Sequence, residues 1–502
     1  PQGDGVTRPW SVHVGDCRHI LAAMPEESID ACVTDTPYGL STLLDPPNLD
    51  REALWQKLTA GQREAPIRTL MRSWLDTDEN PVMKGRGFMG KEWDALVPPP
   101  ATWRQVWRVL RPGAYCLAFA GTRTYDLITM ALRFADFEIE DTWQWLYGQG
   151  MPKRVRLDLK IDEHYGMKDA RPVLGKHPNP AANNGTNAAR FNASHGEALI
   201  HGAAHPDAVR FVGWDRASRP GWEPIIVAVK PLRGTIAETA LRYGTGGMNA
   251  DGCRIPRGDA LVRPQVTRNA SAAVGAGFGA GVQVEPGGGY PANVVIDEAV
   301  AGLIDAQSGL SPAKPARAGR RGGSGFGFFD DDKSADHVGV WPASASGGAS
   351  RFFYTAKAST SERDKGLESL PALTPGEKTG REDETVGISP YAGTRADGGR
   401  NPHPTVKPLS LMRWLVRLAS PPGAWDPDIS KRPVVVDMFA GSGSTLVAGL
   451  AEGVRVVGCE MDPQMADVSR RRCQHAYALP REEAGIEDVV AEVMPRGQAT
   501  LF

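Results

Sequence analysis

The sequence predicts an α/β protein with a doubly wound, mostly parallel, Rossmann-like sheet. Short β-rich runs alternate with helical periodicity towards both ends of the chain. A Gly-rich turn joins a strand to a helix near the C-terminal end. Between the two ends, from about 232 to 400, periodicity mostly fails and the composition is Gly-rich, which predicts a loop-rich surface or a linker inserted into the sheet.

The composition bounds the class of protein. A chain of 502 residues with 41% hydrophobic residues can hold two to four domains, or one large domain with insertions. The net charge of −2 means that any nucleic-acid contact must come from local basic patches. The six cysteines form no Cys-x-x-Cys pair, so a zinc site or a disulfide framework is not expected. Without a signal-peptide or bilayer-spanning apolar run, we expect a soluble, cytoplasmic chain and no membrane partner.

The N-terminal elements follow from their apolar patterns. Residues 29–34 suit a buried strand, and 35–39 suit the loop at its end. A helix follows, ended by Pro112-Gly113, and one face of it carries Trp103, Val106, Trp107 and Leu110. Residues 114–121 form the next strand. The helix over 124–137 turns Leu127, Met130 and Phe134 inward, and strands follow at 140–148 and 221–231.

Regular structure returns at His403. A helix within 405–419 carries Leu409, Met412 and Val416 at helical spacing. Further elements are a strand at 434–436, the Gly-rich turn and its helix, a strand at 454–458, and a helix over 462–473.

The Gly-rich turn Phe439-x-Gly441-x-Gly443 is the first candidate binding site. Glycines there let the backbone approach a ligand at the carboxyl edge of a parallel sheet. Glu460 ends the next strand, where an acid can accept hydrogen bonds from ribose hydroxyls. The turn has no Gly-Lys-Ser/Thr, which excludes a triphosphate loop, and it is shorter than the dinucleotide fingerprint. An ordinary turn without a ligand is the alternative.

The loop Asp35-Thr36-Pro37-Tyr38 is the second candidate. One reaction that such a loop could serve is methylation of the amino group of a nucleic-acid base. The amino nitrogen is a poor nucleophile, because its lone pair is delocalised into the ring. The Asp35 carboxylate and the Thr36 backbone carbonyl could accept both amino hydrogens and expose the lone pair. Pro37 would stiffen the loop, and Tyr38 would stack on a base swung out of a duplex. Alone, these residues also fit an ordinary turn.

Together the two motifs resemble the amino-methylating DNA methyltransferases of the permuted, or beta, class, and in particular its phage-like members. In that class an acid-Pro-Pro-Tyr motif precedes the target-recognition region and Phe-x-Gly-x-Gly follows it, which is the order of 35–39 and 439–443 here. Thr36 replaces the first proline. The resemblance implies a circularly permuted methyltransferase sheet with an inserted recognition region. It also implies methyl transfer from S-adenosylmethionine within a specific DNA sequence, by base flipping and in-line displacement.

The resemblance also implies the site residues. The catalytic set is Asp35, Thr36, Pro37 and Tyr38. The cofactor-binding set is Asp16, Cys17, Asp35, His403, Thr405, Lys407, Pro408, Asp437, Phe439, Ala440, Gly441, Ser442, Gly443, Ser444, Thr445, Glu460 and Met461. Within the second set, Asp16 is expected near the cofactor adenine and Glu460 at the ribose. No metal is expected.

Basic clusters are the candidates for contacts with DNA phosphates. They are Lys153, Arg154, Arg156, Arg190, Arg317, Arg320 and Arg321. A solvated surface is the alternative for each. The resulting domain division has a first catalytic half at 1–232 with an insertion at about 160–215, a recognition region at 233–400, a second catalytic half at 401–480, and a helix and tail at 481–502.

The resemblance favours adenine as the target base. A leading Asp, as at Asp35, usually accompanies adenine N6 in this class and a leading Ser cytosine N4, which is the alternative. No Pro-Cys dipeptide exists, so methylation of a cytosine ring carbon is disfavoured. Rival functions are the same fold acting on RNA, protein or a small molecule, and a catalytically weak DNA-binding regulatory protein. Expected partners are double-stranded DNA, a second copy in a homodimer, and a cognate restriction endonuclease in a bacterial or phage-encoded restriction-modification pair.

Overall fold

The structure is a computed structural model. It describes residues 8–39, 66–81, 96–148, 155–176, 199–216, 218–255, 289–311, 317–320, 338–341, 347–356, 361–373, 399–403 and 406–478. Within these ranges it describes the backbone alone at 66–68, 176, 199, 317–320, 338–341 and 361. No helix in this part of the chain is long and apolar enough to cross a membrane.

Helices and strands alternate along the described chain. The strands are β1 (Trp10–Val14), β2 (Ile29–Asp35), β3 (Leu110–Phe119), β4 (Glu138–Leu146), β5 (Val173–Lys176), β6 (Leu199–His201), β7 (Trp222–Val229), β8 (Val294–Asp297), β9 (Arg317–Arg320), β10 (Val338–Trp341), β11 (Tyr354–Ala356), β12 (Val434–Asp437) and β13 (Arg455–Glu460). The α-helices are α1 (Cys17–Ala22), α2 (Pro66–Thr77), α3 (Pro100–Val109), α4 (Tyr125–Phe134), α5 (Leu157–His164), α6 (Pro206–Val209), α7 (Ile236–Tyr243), α8 (Glu298–Ser308), α9 (Leu409–Ala419), α10 (Ser444–Ala451) and α11 (Pro463–Ala478).

One large sheet organises the molecule. Its nine described strands lie in the order β1-β13-β12-β2-β3-β7-β4-β8-β11. Neighbours pair in parallel except at β7, which is antiparallel to both β3 and β4. The predicted mixed α/β fold with a mostly parallel sheet is therefore confirmed. Because β7 runs the other way, it begins at the edge where β1, β13, β12, β2 and β3 end.

Helices cover both faces of this sheet, as a doubly wound fold requires. Along β3, Leu117 and Phe119 point into a core shared with α9, α10 and α11. The alternate residues Cys116 and Ala118 point into a second core, shared with α1, α2, α3 and α4. Successive strand side chains point to opposite faces, so each β3 residue joins one core or the other. Each large apolar side chain that is fully buried stabilises the fold by about 1.5 to 3 kcal/mol.

The end predicted for the first long helix is wrong. α3 ends at Val109, and β3 begins directly at Leu110, so Pro112 and Gly113 lie inside the strand. The pairing of β2 with β3 shifts there, from Ile29–Leu110 to Ala31–Tyr115, and Gly113 has a φ of 75°. The Pro-Gly pair therefore marks an irregularity within a strand, a use of glycine that sequence cannot distinguish from a helix end.

One inward residue of the next helix was also predicted wrongly. α4 buries Leu127, Ile128, Ala131 and Leu132, while Met130 is 40% exposed. The buried stripe is centred one residue later than the predicted one. A short helix with apolar residues on most of its surface does not fix the direction of its stripe.

Regular elements also occur within 232–400, where periodicity gave no signal. α7 begins with a capping box, in which Thr235 Oγ1 accepts from Glu238 N at 3.2 Å and the Glu238 carboxylate accepts from Thr235 N at 2.7 Å. β8 and β11 pair in parallel and extend the main sheet beyond β4. The sheet thus includes part of the segment predicted to hold the recognition region.

The segment between β4 and β7 has a small structure of its own. It contains α5, α6 and a two-stranded antiparallel sheet of β5 and β6. Its described parts are 155–176 and 199–216, which lie between β4 and β7 in the sequence. We refer to them as the insertion.

Candidate active site

The predicted site residues converge because neighbouring parallel strands end at the same edge of the sheet. Asp35 ends β2, Asp437 ends β12 and Glu460 ends β13. Asp16 follows β1, where Gly15 N donates to the Glu460 carbonyl at 2.9 Å. These strands are adjacent in the order β1-β13-β12-β2, so two segments from opposite ends of the chain form one site.

The Gly-rich turn is closely packed and lined by backbone. Gly441 and Gly443 have φ values of 51° and 82°, which favour glycine. A Cβ atom at Gly441 would lie 2.9 Å from His403 Nε2. Gly441 N donates to Glu460 Oε2 at 2.7 Å, so the acid at the end of β13 holds the turn. Burial raises the pKa of Glu460.

Asp437 links the two candidate motifs. Its Oδ1 accepts from Thr34 Oγ1 on β2 at 2.7 Å and from Phe439 N in the turn at 3.1 Å. Burial raises the pKa of Asp437 to about 6. One buried carboxyl group therefore fixes the strand that carries Asp35 against the strand that carries the Gly-rich turn.

Two threonine hydroxyls hold the Asp35–Tyr38 loop through hydrogen bonds to backbone carbonyls. Thr36 is buried, and its Oγ1 donates to the Phe119 carbonyl at the end of β3 at 2.7 Å. Thr124 Oγ1 donates to the Tyr38 carbonyl at 2.5 Å. Neutral hydrogen bonds from two threonines thus fix both ends of the loop.

The side chains of this loop meet Lys407 and Glu223. Lys407 is 8% exposed, and its Nζ lies 2.6 Å from Asp35 Oδ2, 3.1 Å from Tyr38 OH and 3.4 Å from Glu223 Oε2. Tyr38 OH lies 3.0 Å from both Asp35 Oδ1 and Glu223 Oε2. We call Asp35, Tyr38, Glu223 and Lys407 the Lys407 cluster.

The charges in the Lys407 cluster stabilise one another. Burial alone would lower the pKa of Lys407, but the carboxylates of Asp35 and Glu223 raise it above its ordinary value. Burial and the same two carboxylates raise the pKa of Tyr38 well above its ordinary value. Lys407 is therefore a cation and Tyr38 a neutral phenol at neutral pH.

Glu223 is the member of this cluster that sequence reasoning missed. It is the second residue of β7. Because β7 is antiparallel to β3, its first residues lie at the carboxyl edge beside the end of β3, one strand away from β2. The apolar pattern of 221–231 predicts a strand, but it does not show whether that strand runs parallel or antiparallel to its neighbours. A polar residue at the start of such a strand is the signal that could have identified it.

Three further polar residues were missed around the turn. Asn401 is buried, and its Oδ1 accepts from His403 N at 3.0 Å, while Arg363 donates to the His403 carbonyl. Arg472 of α11 is 3% exposed and donates to the Ser442 carbonyl at 2.7 Å. Burial lowers the pKa of Arg472 to about 10. These side chains fix the backbone at His403, which packs against Gly441, and at Ser442 in the turn.

The other predicted cofactor residues lie on the same edge with different exposure. Asp16 caps α1 and pairs with Arg18 at 2.7 Å. Cys17 is buried, and burial raises the pKa of its thiol to about 12. Met461 is 64% exposed. Pro408 is the N-cap of α9. Ala440, Ser444 and Thr445 belong to the turn and the start of α10, whereas Thr405 lies outside the described residues.

The predicted DNA contacts are mostly beyond what the structure describes. Arg156 caps α5 and pairs with Asp158 at 2.5 Å. Arg317 and Arg320 are described by their backbone alone. The residues outside the described ranges are Lys153, Arg154, Arg190 and Arg321. In the described part of the chain, no group of three or more His, Cys, Asp or Glu side chains could hold a metal ion.

Comparison with known proteins gives a family match within the C-terminal part and a relative that matches a short stretch of the chain. Residues 330–471 match a family model described as DNA methylase, of the N6/N4 group. This stretch contains Lys407 and the Gly-rich turn, whereas Asp35 lies outside it. A stretch of 96 residues, 19% of this chain, is 32% identical to the candidate methylase YubD of Escherichia coli (strain K12) and spans 38% of that protein. The family match supports a DNA methyltransferase.

Solved structures give a weaker likeness. A candidate DNA modification methylase of Thermus thermophilus, in complex with S-adenosyl-L-methionine, aligns over 93% of this chain and 95% of its own, with 15% identity and a TM-score of 0.30. The cytosine-N4-specific PvuII DNA methyltransferase aligns over 96% and 91%, with 10% identity and a TM-score of 0.33. TM-scores at this level do not establish a shared fold.

Proposed function

We propose that this protein transfers a methyl group from S-adenosylmethionine to the exocyclic amino group of a base in DNA, with adenine N6 as the target. One observation carries the proposal. Asp35, which leads the acid-Thr-Pro-Tyr loop, ends the strand next to the Gly-rich turn, and the 2.7 Å hydrogen bond from Thr34 to Asp437 joins the two. The DNA methylase match over 330–471 supports the same activity.

The turn fits the proposed cofactor. A Cβ atom at Gly441 or Gly443 would meet His403 or Ser469, so only glycine allows the close-packed turn that the resemblance assigns to the cofactor. The Glu460 carboxylate beside the turn accepts hydrogen bonds from Gly441 N and Asp462 N, one on each oxygen. Each oxygen retains a second lone pair, which suits ribose hydroxyls. Asp16, at the end of the next strand, is the proposed partner of the adenine ring.

The proposed mechanism needs little beyond positioning. S-adenosylmethionine supplies an already activated sulfonium methyl group. Asp35 and the Thr36 backbone carbonyl accept the two amino hydrogens of the target and direct its lone pair. Tyr38 stacks on the flipped base, and the hydrogen bonds of Thr36 and Thr124 hold the loop in register for an in-line attack.

The finer assignments rest on the resemblance stated above. We propose a beta-class enzyme of the phage-like group, with a circularly permuted sheet and a recognition region within 233–400. The leading Asp35 supports adenine over cytosine N4. Double-stranded DNA is the proposed substrate, the predicted basic residues its phosphate contacts, and a homodimer the proposed assembly.

The test is transfer of labelled methyl groups to DNA, followed by analysis of the nucleosides. We expect label in N6-methyladenine with the wild type. Label in N4-methylcytosine would show that cytosine, and not adenine, is the target base. The absence of label on diverse genomic DNA would favour the alternative of a DNA-binding regulatory protein. Asp35→Ala should abolish transfer and leave cofactor binding, measured by calorimetry, largely intact. Asp428→Ala, at the opposite edge of the sheet ahead of β12, is the matched control and should transfer normally.

A further inference from the structure

The hydrogen bonds within the Lys407 cluster need one more proton than its donors supply. Its polar contacts join Lys407 to each of the other three members, and Tyr38 OH to the two carboxylates. The ammonium group offers three protons and the phenol one, and carboxylates accept only. Within these described contacts, one of the two 3.0 Å approaches to Tyr38 OH therefore has no proton between its oxygens.

We propose that this position receives the proton that the target amino group loses, and that Glu223 is the group on which the proton is finally held. The inference rests on the proposed function. As the nitrogen–methyl bond forms and the carbon–sulfur bond breaks, positive charge develops on the target nitrogen. In the same step an N–H bond breaks, its electron pair stays on nitrogen, and the proton passes to Asp35, so the acceptor lowers the barrier to methyl transfer. Asp35 passes it to the Tyr38 oxygen as Tyr38 gives its own proton to Glu223.

The geometry selects this route among the groups that face Glu223. They are Asp35 from β2, Tyr38 from its loop, Lys407 ahead of α9, and Tyr147 after β4, whose pKa burial and the charge of Glu223 raise to about 12. Lys407 is held as a cation and accepts no proton. Of these groups, only Tyr38 lies 3.0 Å from both carboxylates. Glu223 is thus a positioning residue that acts through Tyr38 and does not touch the target base.

Glu223→Gln tests the proposal because glutamine keeps the size of the side chain and cannot take the proton. We expect the single-turnover rate of methyl transfer to fall about 100-fold near neutral pH. The loss should shrink as pH rises, because hydroxide then replaces the missing acceptor, and cofactor affinity by calorimetry should be unchanged. Glu138→Gln, an exposed acid at the opposite end of neighbouring β4, is the matched control and should behave as the wild type at every pH.

A second variant protects the test against a folding defect. Tyr38→Phe keeps the stacking ring and breaks the path, so it should reproduce the pH response of Glu223→Gln. A Glu223→Gln rate equal to the wild type, or a loss that is the same at every pH and accompanied by weaker cofactor binding, would overturn the proposal. The second result would show that Glu223 only maintains the structure.

Infrared spectroscopy of the ligand-free protein gives a measurement that does not need activity. On acidification, the wild-type minus Glu223→Gln difference spectrum should show the carbonyl stretch of a protonated carboxyl group. In a Tyr38→Phe background this band should shift, because the hydrogen bond to the phenol is lost. A carbonyl band at the same position with and without Tyr38→Phe would overturn the claim that Glu223 and Tyr38 share a proton. If the wild type transfers no methyl group to DNA, the proposed function fails by itself, and the infrared result still decides whether Glu223 and Tyr38 share a proton.

Discussion

Two buried clusters in this protein each place one cation between two carboxylates, and they differ in how completely their hydrogen bonds are satisfied. In the insertion, Arg171 donates to Asp162 Oδ2 and Asp158 Oδ2 at 2.6 Å each. At the site, Lys407 lies between two acids at 2.6 and 3.4 Å. Arg156 also pairs with Asp158 at 2.5 Å, so the insertion has two cations for its two acids, and the two clusters differ in charge balance, in geometry and in the kind of cation.

We call Arg171, Asp158 and Asp162 the Arg171 cluster. It is closed in the sense that its hydrogen bonds leave no position for a further proton. The guanidinium is a rigid planar donor that matches carboxylate geometry and stays charged. Asp162 also accepts from the backbone N–H groups of Ala204 and His205, the latter at 2.8 Å, and all three charged side chains are nearly or fully buried. Such a network joins α5 to the chain leading into α6 and has no role for a mobile proton.

The Lys407 cluster is open. A lysine ammonium is a compact point charge, and the phenol between the acids can donate and accept at once. The cluster also lies at the carboxyl edge of the sheet, where a substrate can reach it. The comparison teaches that a buried acid–cation–acid arrangement says little about function until the donors and acceptors around it are counted.

The largest expected effect tests the structural side of the comparison. Arg171→Met leaves Asp162 buried without its cation, while Asp158 keeps Arg156, and this should cost the insertion about 3 to 5 kcal/mol. Hydrogen exchange should show faster exchange in peptides from 155–176 and 199–216, with the main sheet protected as before. Arg210→Met, an exposed arginine next to α6, is the control. Equal loss of protection in the sheet would show that the insertion is not an independent unit.

The next effect tests the functional side. Lys407→Met leaves Asp35 and Glu223 as unshielded neighbours and frees the orientation of Asp35. Methyl transfer should fall about 100-fold, which corresponds to about 2.7 kcal/mol in activation free energy. The measurement is single-turnover transfer, with Lys431→Met, an exposed lysine ahead of β12, as the control. If Lys407→Met transfers methyl groups at the wild-type rate, the Lys407 cluster is structural, like the Arg171 cluster.

A buried acid held by neutral donors gives the third test. Burial raises the pKa of Asp437 from 3.8 to about 6, so the folded protein binds this proton more tightly than the unfolded chain. The resulting stabilisation is complete below about pH 3.8 and is lost as pH rises through about 6. Asp437→Asn stays neutral and should therefore gain up to about 3 kcal/mol on the wild type above pH 6 and nothing below pH 4. Chemical denaturation at the two pH values measures this.

Asp467→Asn, an exposed acid on α11, is the control for that experiment and should follow the pH dependence of the wild type. If Asp437→Asn also follows the wild type, then Asp437 is not the group that titrates.

The sequence predicted the strand ends of this site well, because each motif combines an apolar run with a turn residue that must follow it. The strand at 29–34 and the one at 434–436 are both observed, and their loops meet at the same edge. Glu223 was missed because the direction of β7, which places this polar residue at the carboxyl edge, depends on long-range pairing with β3. Pro112-Gly113 was misread for a similar reason, since the φ of 75° at Gly113 and its close packing against Thr239 and Gly246 are features of the folded chain alone.

The smallest expected effect concerns Thr36, the one departure from the acid-Pro-Pro-Tyr pattern. The rigidity that a proline ring would give this position comes here from the 2.7 Å hydrogen bond of Thr36 Oγ1 to the Phe119 carbonyl. Thr36→Val keeps the shape and removes the donor, so it should cost about 1 kcal/mol in stability. Transfer should fall about fivefold if the loop loses a similar amount in the transition state.

Thr245→Val is the matched control for Thr36→Val, because Thr245 Oγ1 makes the same kind of buried bond, to the Pro112 carbonyl, away from the carboxyl edge. Denaturation should show similar losses for the two variants, whereas single-turnover transfer should fall for Thr36→Val alone. Equal transfer by both variants would mean that the loop does not need the bond from Thr36 to the Phe119 carbonyl. Asp35 and Tyr38 would then be positioned by Lys407 and by the Thr124 bond to the Tyr38 carbonyl.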